Sequence, residues 1–156
     1  GLLFGFLFAS SLAFLRERLS KKIYNPENLE AILKAPIIEK ISNLDELNNE
    51  NFMPIFREII INNPKANICL FSFSEKDNKY LKKIYDTFIN TKKLKNLDNF
   101  KYLLWKNETD KFIKSEYRIL VVSMEDIKEK DVYELLNNIK IFNLHIYGII
   151  IIDNVY

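Results

Sequence analysis

Four short stretches of this chain are apolar almost without a break: NICLFSF from Asn67, KYLLW from Lys101, RILVVS from Arg118 and IYGIIII ending at Ile152. A strand with one wet face alternates apolar and polar residues. A run with no polar face must be covered on both sides, as in a parallel sheet sandwiched between helices. The intervening segments supply the helices. Ser74 with Asp77 forms a capping-box-like start, followed by Tyr80/Leu81, Ile84/Tyr85 and Phe88/Ile89 at helical spacing. Residues 131–142 place Val132, Leu135, Leu136 and Ile139 on one helix face. The pattern predicts an α/β fold: a small, mostly parallel sheet flanked by helices.

Upstream of these units, Asn25-Pro26-Glu27 reads as a helix start, with an Asn cap, Pro in the first turn and an acid beside it. That helix is expected to run to about Lys34 and stop before Pro36. A short extended segment, PIIEKI, follows, and then a polar, Asn-rich linker over residues 42–51. Phe52, Ile55, Phe56, Ile59 and Ile60 predict a further helix ending before Pro64.

The N-terminal segment has a different character. Leu2 to Leu15 carries no charge, and Arg16, Arg18, Lys21 and Lys22 close it abruptly. An apolar run ended by basic residues is the cytoplasmic end of a transmembrane helix under the positive-inside rule. Its helical length, roughly 21 Å, falls short of a hydrocarbon core of about 30 Å. The chain also begins with Gly, so a longer protein that completes the span is expected. A signal peptide carries its charges before the apolar run, and a buried core helix, the other alternative at this length, would leave no polar face for water. Gly1, Gly5, Ala9 and Ala13 recur every four residues, a small-residue face on which membrane helices pack closely. The expected organisation is a transmembrane end over residues 1–15, a juxtamembrane segment and linker over 16–51, and an α/β domain over 52–156. Residues 16–156 are expected on the cytoplasmic side of a bacterial inner membrane, with oligomerisation through the membrane helix.

Composition narrows the chemistry. There are 23 basic and 21 acidic residues, a net charge of +2, which is no general footprint for nucleic acid. The basic block beside the apolar run suits anionic lipid headgroups. Cys69 lies inside an apolar strand and reads as a core thiol in a reducing compartment. It and His145, the single histidine, are too few to ligate a metal, and no nucleophile can be placed beside that imidazole. The acid pairs Asp45/Glu46 and Glu125/Asp126 read as solvated caps. None of the three glycines lies between Phe6 and Tyr147, so no Gly-rich loop is available to cradle phosphates.

In order of elements the chain resembles the C-terminal half of bacterial polysaccharide co-polymerases (chain-length determinants) joined to the tyrosine-kinase-type P-loop domain of exopolysaccharide systems. The resemblance runs through LAFLRERL, NPENLEAILKAP, PIIEKI and NFMPIFREIIINN, where Phe56 and Arg57 correspond to the family's Glu-Ala-Phe-Arg subunit-contact helix. It closes on the strand–helix–strand of the last third, including Gly148 in the final strand.

The kinase chemistry is not carried with it. Where the family places the P-loop Lys, this chain has Lys79; Lys76 and Asn78 stand at the glycine positions, and Tyr80 replaces the metal-binding hydroxyl residue. Lys106 and Asn107 follow the KYLLW strand where the family has an Asp, and a long stretch carrying another acid is reduced to residues 107–116. Phosphoryl transfer depends on those metal-bridged phosphates. The resemblance therefore implies a non-enzymatic subunit of polysaccharide biosynthesis, chain-length control or export, without a cofactor or metal. Its reduced kinase-like domain would dock onto export or polymerase components or, alternatively, bind and activate a separate kinase. The residues implicated are Gly5, Ala9 and Ala13 for helix packing, Arg16, Arg18, Lys21 and Lys22 for membrane flanking, and Phe56 and Arg57 for subunit contact.

Overall fold

The computed structural model describes residues 5, 9–12, 25–42, 53–90, 99–124 and 127–153. In chain order these form α1 (Pro26–Leu33), β1 (Ile37–Ile41), α2 (Met53–Asn62), β2 (Ile68–Ser72), a 3₁₀ turn (Glu75–Asp77), α3 (Asn78–Asn90), β3 (Phe100–Leu104), α4 (Thr109–Lys114), β4 (Tyr117–Ser123), α5 (Glu129–Phe142) and β5 (Gly148–Ile152). Gly5 and residues 9–12 are helical. Among the described residues no helix is long and apolar enough to cross a membrane.

The five strands form one sheet in the order β1-β5-β4-β2-β3, and every pairing is parallel. The α/β expectation from the apolar runs thus holds. The two faces divide each run by parity, as a pleat requires. Cys69, Phe71, Leu120, Val122, Ile149 and Ile151 join Leu29 and Leu33 of α1, Phe112 of α4, and Val132 and Leu135 of α5 in one core. Ile68, Leu70, Ile119, Val121, Ile150 and Ile152 join Phe56 and Ile59 of α2 and Leu81, Ile84 and Phe88 of α3 in the other. Each run is continuous because each face of the strand meets a different helical layer.

Local chemistry sets the element ends. The Asn25 side chain accepts from the Glu27 amide at 2.9 Å, with Pro26 opening α1 as the sequence predicts. Asn143 ends α5 in the left-handed conformation at φ 50°, which Asn tolerates better than most residues. Arg118, 5 % exposed in β4, donates from Nε to the Phe112 carbonyl at 2.8 Å, from Nη2 to Ile113 at 2.6 Å and from Nη1 to His145 at 3.4 Å. Its guanidinium therefore collects carbonyls from the end of α4 and from the approach to β5, where cationic donors are favoured.

Two expectations are revised. The stretch expected to be juxtamembrane contributes α1 and β1 to the fold, because PIIEKI pairs with β5 and completes the sheet; the α/β unit therefore begins near Asn25 rather than at residue 52. Residues 107–116, to which the family's long stretch is reduced and for which the sequence predicts no element, contain α4, whose Phe112 is fully buried against Phe71 with ring centroids 4.8 Å apart. At six residues, α4 was too short to show a helical period.

Candidate functional site at the carboxyl end of the sheet

From β2 the chain crosses outward to β3, and from β4 it crosses the other way to β5. The neighbouring carboxyl ends of β2 and β4 are thus a topological switch point, where open α/β sheets form their ligand crevices. This is also where the sequence resemblance places the phosphate loop. Three of the buried polar residues gather here: Ser72 at the end of β2, Asp77 in the 3₁₀ turn packed against β4, and Ser123 at the end of β4, all 2 % exposed or less.

The β2–α3 loop is tied to itself. Ser72 Oγ donates to Asp77 Oδ2 at 2.7 Å and accepts from the Ser74 amide at 3.4 Å. Ser74 Oγ accepts from the Lys76 amide at 3.2 Å, and the Ser74 carbonyl accepts from the Asp77 amide at 3.1 Å. The expected Ser74/Asp77 box is therefore only half formed: Ser74 caps the turn, but the Asp77 carboxylate turns to Ser72. A phosphate cradle needs several amides aimed outward from a backbone that alternates the sign of φ. Here the amides of residues 74, 76 and 77 already donate within the loop. Among the described residues, positive φ occurs only at Lys34 and Asn143. A buried carboxylate also lies at the start of α3, where an anion would otherwise find the positive end of the helix dipole.

The Ser72–Asp77 pair offers little as a nucleophile. A carboxylate is a weak base toward a serine hydroxyl, no imidazole stands between them, and both side chains are closed to solvent. Lys79 is exposed on α3, its Nζ 4.7 Å from the Tyr80 ring centre, while the Tyr80 side chain is buried. At the end of β3, Lys106 Nζ meets Asp131 Oδ1 and Glu134 Oε2 of α5, each at 2.9 Å. Those hydrogen bonds, Glu134's first, raise its pKa and hold it charged. The lysine after this strand thus latches the β3–α4 loop to α5.

Elsewhere, Cys69 is fully buried, and burial pushes its pKa up to about 12 against smaller opposing effects from a Ser115 hydrogen bond and Arg118. It is a core thiol, as the sequence predicts. His145 is exposed and contributes its backbone carbonyl to Arg118. Among the described residues no group of three or more His, Cys, Asp or Glu could hold a metal.

Of the residues singled out for assembly, Gly5 and Ala9 are helical and exposed, and a Cβ built on Gly5 meets nothing within 4 Å. Ala13, Arg16, Arg18, Lys21 and Lys22 lie outside the described residues, as do Asp45/Glu46 and Glu125/Asp126. Phe56 is 1 % exposed, with its ring centre 3.9 Å from that of Phe88 and 6.0 Å from that of Phe100. Its side chain is committed to the protomer's own core. Arg57, next to it, is exposed. Sequence reasoning missed Ser72 and Ser123, whose single hydroxyls at the ends of apolar runs give no spacing signal. It missed the role of Arg118 for the same reason.

No family model, curated protein or solved structure matches this chain.

Proposed function

We propose that this chain is a non-enzymatic membrane subunit whose α/β unit serves as a docking or oligomerisation module rather than a nucleotide-binding one. The observation that carries this reading is the self-bonded β2–α3 loop. Its amides at residues 74, 76 and 77 are engaged, and Asp77 is buried where the resemblance calls for phosphate. Binding a nucleotide there would require breaking those bonds and bringing phosphate against a carboxylate. The sheet meanwhile keeps both of its helical layers, as a rigid scaffold for contacts does.

Attachment to the membrane rests on the apolar run up to Leu15 and on the basic block after it. The exposed helical positions Gly5 and Ala9 offer room for a second helix. Assignment to polysaccharide chain-length control or export, in a bacterial inner membrane, rests on the sequence resemblance.

Titration calorimetry of the full chain with ATP and Mg²⁺ tests the loop. No saturable heat is expected, and a tight, Mg²⁺-dependent heat would overturn the proposal. Replacing Gly5 and Ala9 with Leu tests the helix contact: the cross-linked assembly is expected to shrink, and an unchanged ladder would remove that role.

A further inference from the structure

Among the described helices, α3 and the turn before it carry the most pronounced basic charge on an outer face. Tyr80, Leu81, Ile84 and Phe88 are buried against the sheet. On the outer side of the helix Lys79 and Lys82 are exposed, with Lys83 half-buried at the flank and Lys76 exposed in the preceding turn, against two acids, Glu75 and Asp86. Among the described residues no other helix has such a surplus. The outer side of α5 balances Lys130 and Lys140 with Glu129 and Glu134, and α2 sets Arg57 against Glu58. Asp77, the remaining acid of this region, is buried in its bond to Ser72 and gives no charge to the outer face.

We infer that the outer face of α3, centred on Lys79 and Lys82, rests on the anionic headgroups of the bilayer to which the chain is attached. This rests on the membrane reading above, through the length of the tether. Nine residues lie between Leu15 and Asn25, where the described α/β unit begins, so over ten residue-to-residue steps the unit stays within about 36 Å of the apolar run even with that tether fully extended. At such a distance the encounter is intramolecular, and a few weakly attracted lysines suffice to orient the domain. The partner is identified by charge complementarity with a flat, dense array of phosphates. A base-reading partner would call for aromatic side chains interleaved with the lysines, and the aromatic residues of α3 face inward or sideways, toward β3.

The test uses the full chain with vesicles of phosphatidylcholine alone, or containing about 30 mol % phosphatidylglycerol. Lysine acetylation read by mass spectrometry reports each side chain, with Lys34 and Lys130 as controls on other surfaces. On the anionic vesicles, labelling of Lys79 and Lys82 is expected to fall about fivefold or more, with the controls unchanged and labelling restored at about 0.5 M salt. The variant carrying Lys79→Glu and Lys82→Glu, both exposed positions, should lose the protection of neighbouring Lys83 while keeping its Trp105 fluorescence. Equal labelling on both vesicle types overturns the proposal. So does protection that persists on neutral lipid, or protection produced only by single-stranded RNA. Flotation on the neutral vesicles reports the apolar anchor separately. If it fails, the membrane reading falls, and the α3 face is judged by whether flotation on anionic vesicles is lost in the double variant. Flotation equal to that of the unaltered chain overturns the inference.

Discussion

Replacing Gly148 with Ala sets a single methyl against one neighbour. Gly148 opens β5, and its φ is not positive, so backbone conformation does not demand glycine there. Space does. An added Cβ would lie 1.9 Å from Ile38 Cδ1, 2.2 Å from Ile38 Cγ1 and 3.5 Å from the Pro36 carbonyl oxygen. Turning Ile38 about χ2 moves Cδ1 but leaves Cγ1 in place, so relief requires a change of χ1 or a shift of β1. Ile38 is the residue by which β1 slips register against β5, between the pairs Ile37–Ile149 and Glu39–Ile150. Overpacking of this kind costs about 1–3 kcal/mol, and the better strand propensity of Ala over Gly returns only a few tenths. In a domain of this size that lowers the melting temperature by roughly 3–10 °C. Ile38→Ala alone should cost about 1–2 kcal/mol, because the side chain is only half-buried. The double variant decides the question. Removing the obstructing side chain should recover at least ~1 kcal/mol relative to the sum of the single changes. Urea unfolding followed by the fluorescence of Trp105, the chain's one tryptophan and 2 % exposed, measures all three variants. Costs that add within about 0.3 kcal/mol would refute the packing of β5 on β1 through this contact.

Other expectations follow from buried polar groups. Because burial raises the Cys69 pKa to about 12 from an ordinary value of about 9.0, the folded state keeps its proton where the unfolded chain has lost it. Stability from this group is therefore fully present below pH ~9 and declines between pH ~9 and ~12, a decline that Cys69→Ala should flatten in alkaline unfolding curves. The same thiol should resist a disulfide reagent at pH ~8 until the protein is unfolded. Arg118→Met removes donors to three carbonyls, of which the Phe112 oxygen lies in a fully buried bond; a loss of about 2 kcal/mol is expected, and a neutral result would show that water replaces the guanidinium. Ser72→Ala should cost ~1–3 kcal/mol by taking a hydrogen bond from the buried Asp77 carboxylate, whereas Lys79→Ala, on the surface, should fall within ~0.5 kcal/mol in the same urea titration.

The amino-acid sequence alone determined most of the elements and which strands are buried on both faces. Runs such as RILVVS and IYGIIII have no polar face, so they are strands covered on both sides; the caps at Asn25 and Ser74 and the prolines at Pro36 and Pro64 bound the helices. The poverty of glycine already told against a phosphate loop. Strand order was beyond it, because one buried apolar run pairs as well with any other, and the choice rests on contacts far apart in the chain. Only the folded sheet brings PIIEKI, legible in the sequence as a short extended segment, beside β5 more than a hundred residues later, and makes it an edge strand of the core. Only it turns Phe56 inward among Phe88 and Phe100 and leaves Arg57 outside. It also decides that Asp77, one acid among 21, is buried against Ser72 at the switch point. A side chain's periodicity is written locally, but its partners depend on where the rest of the chain returns.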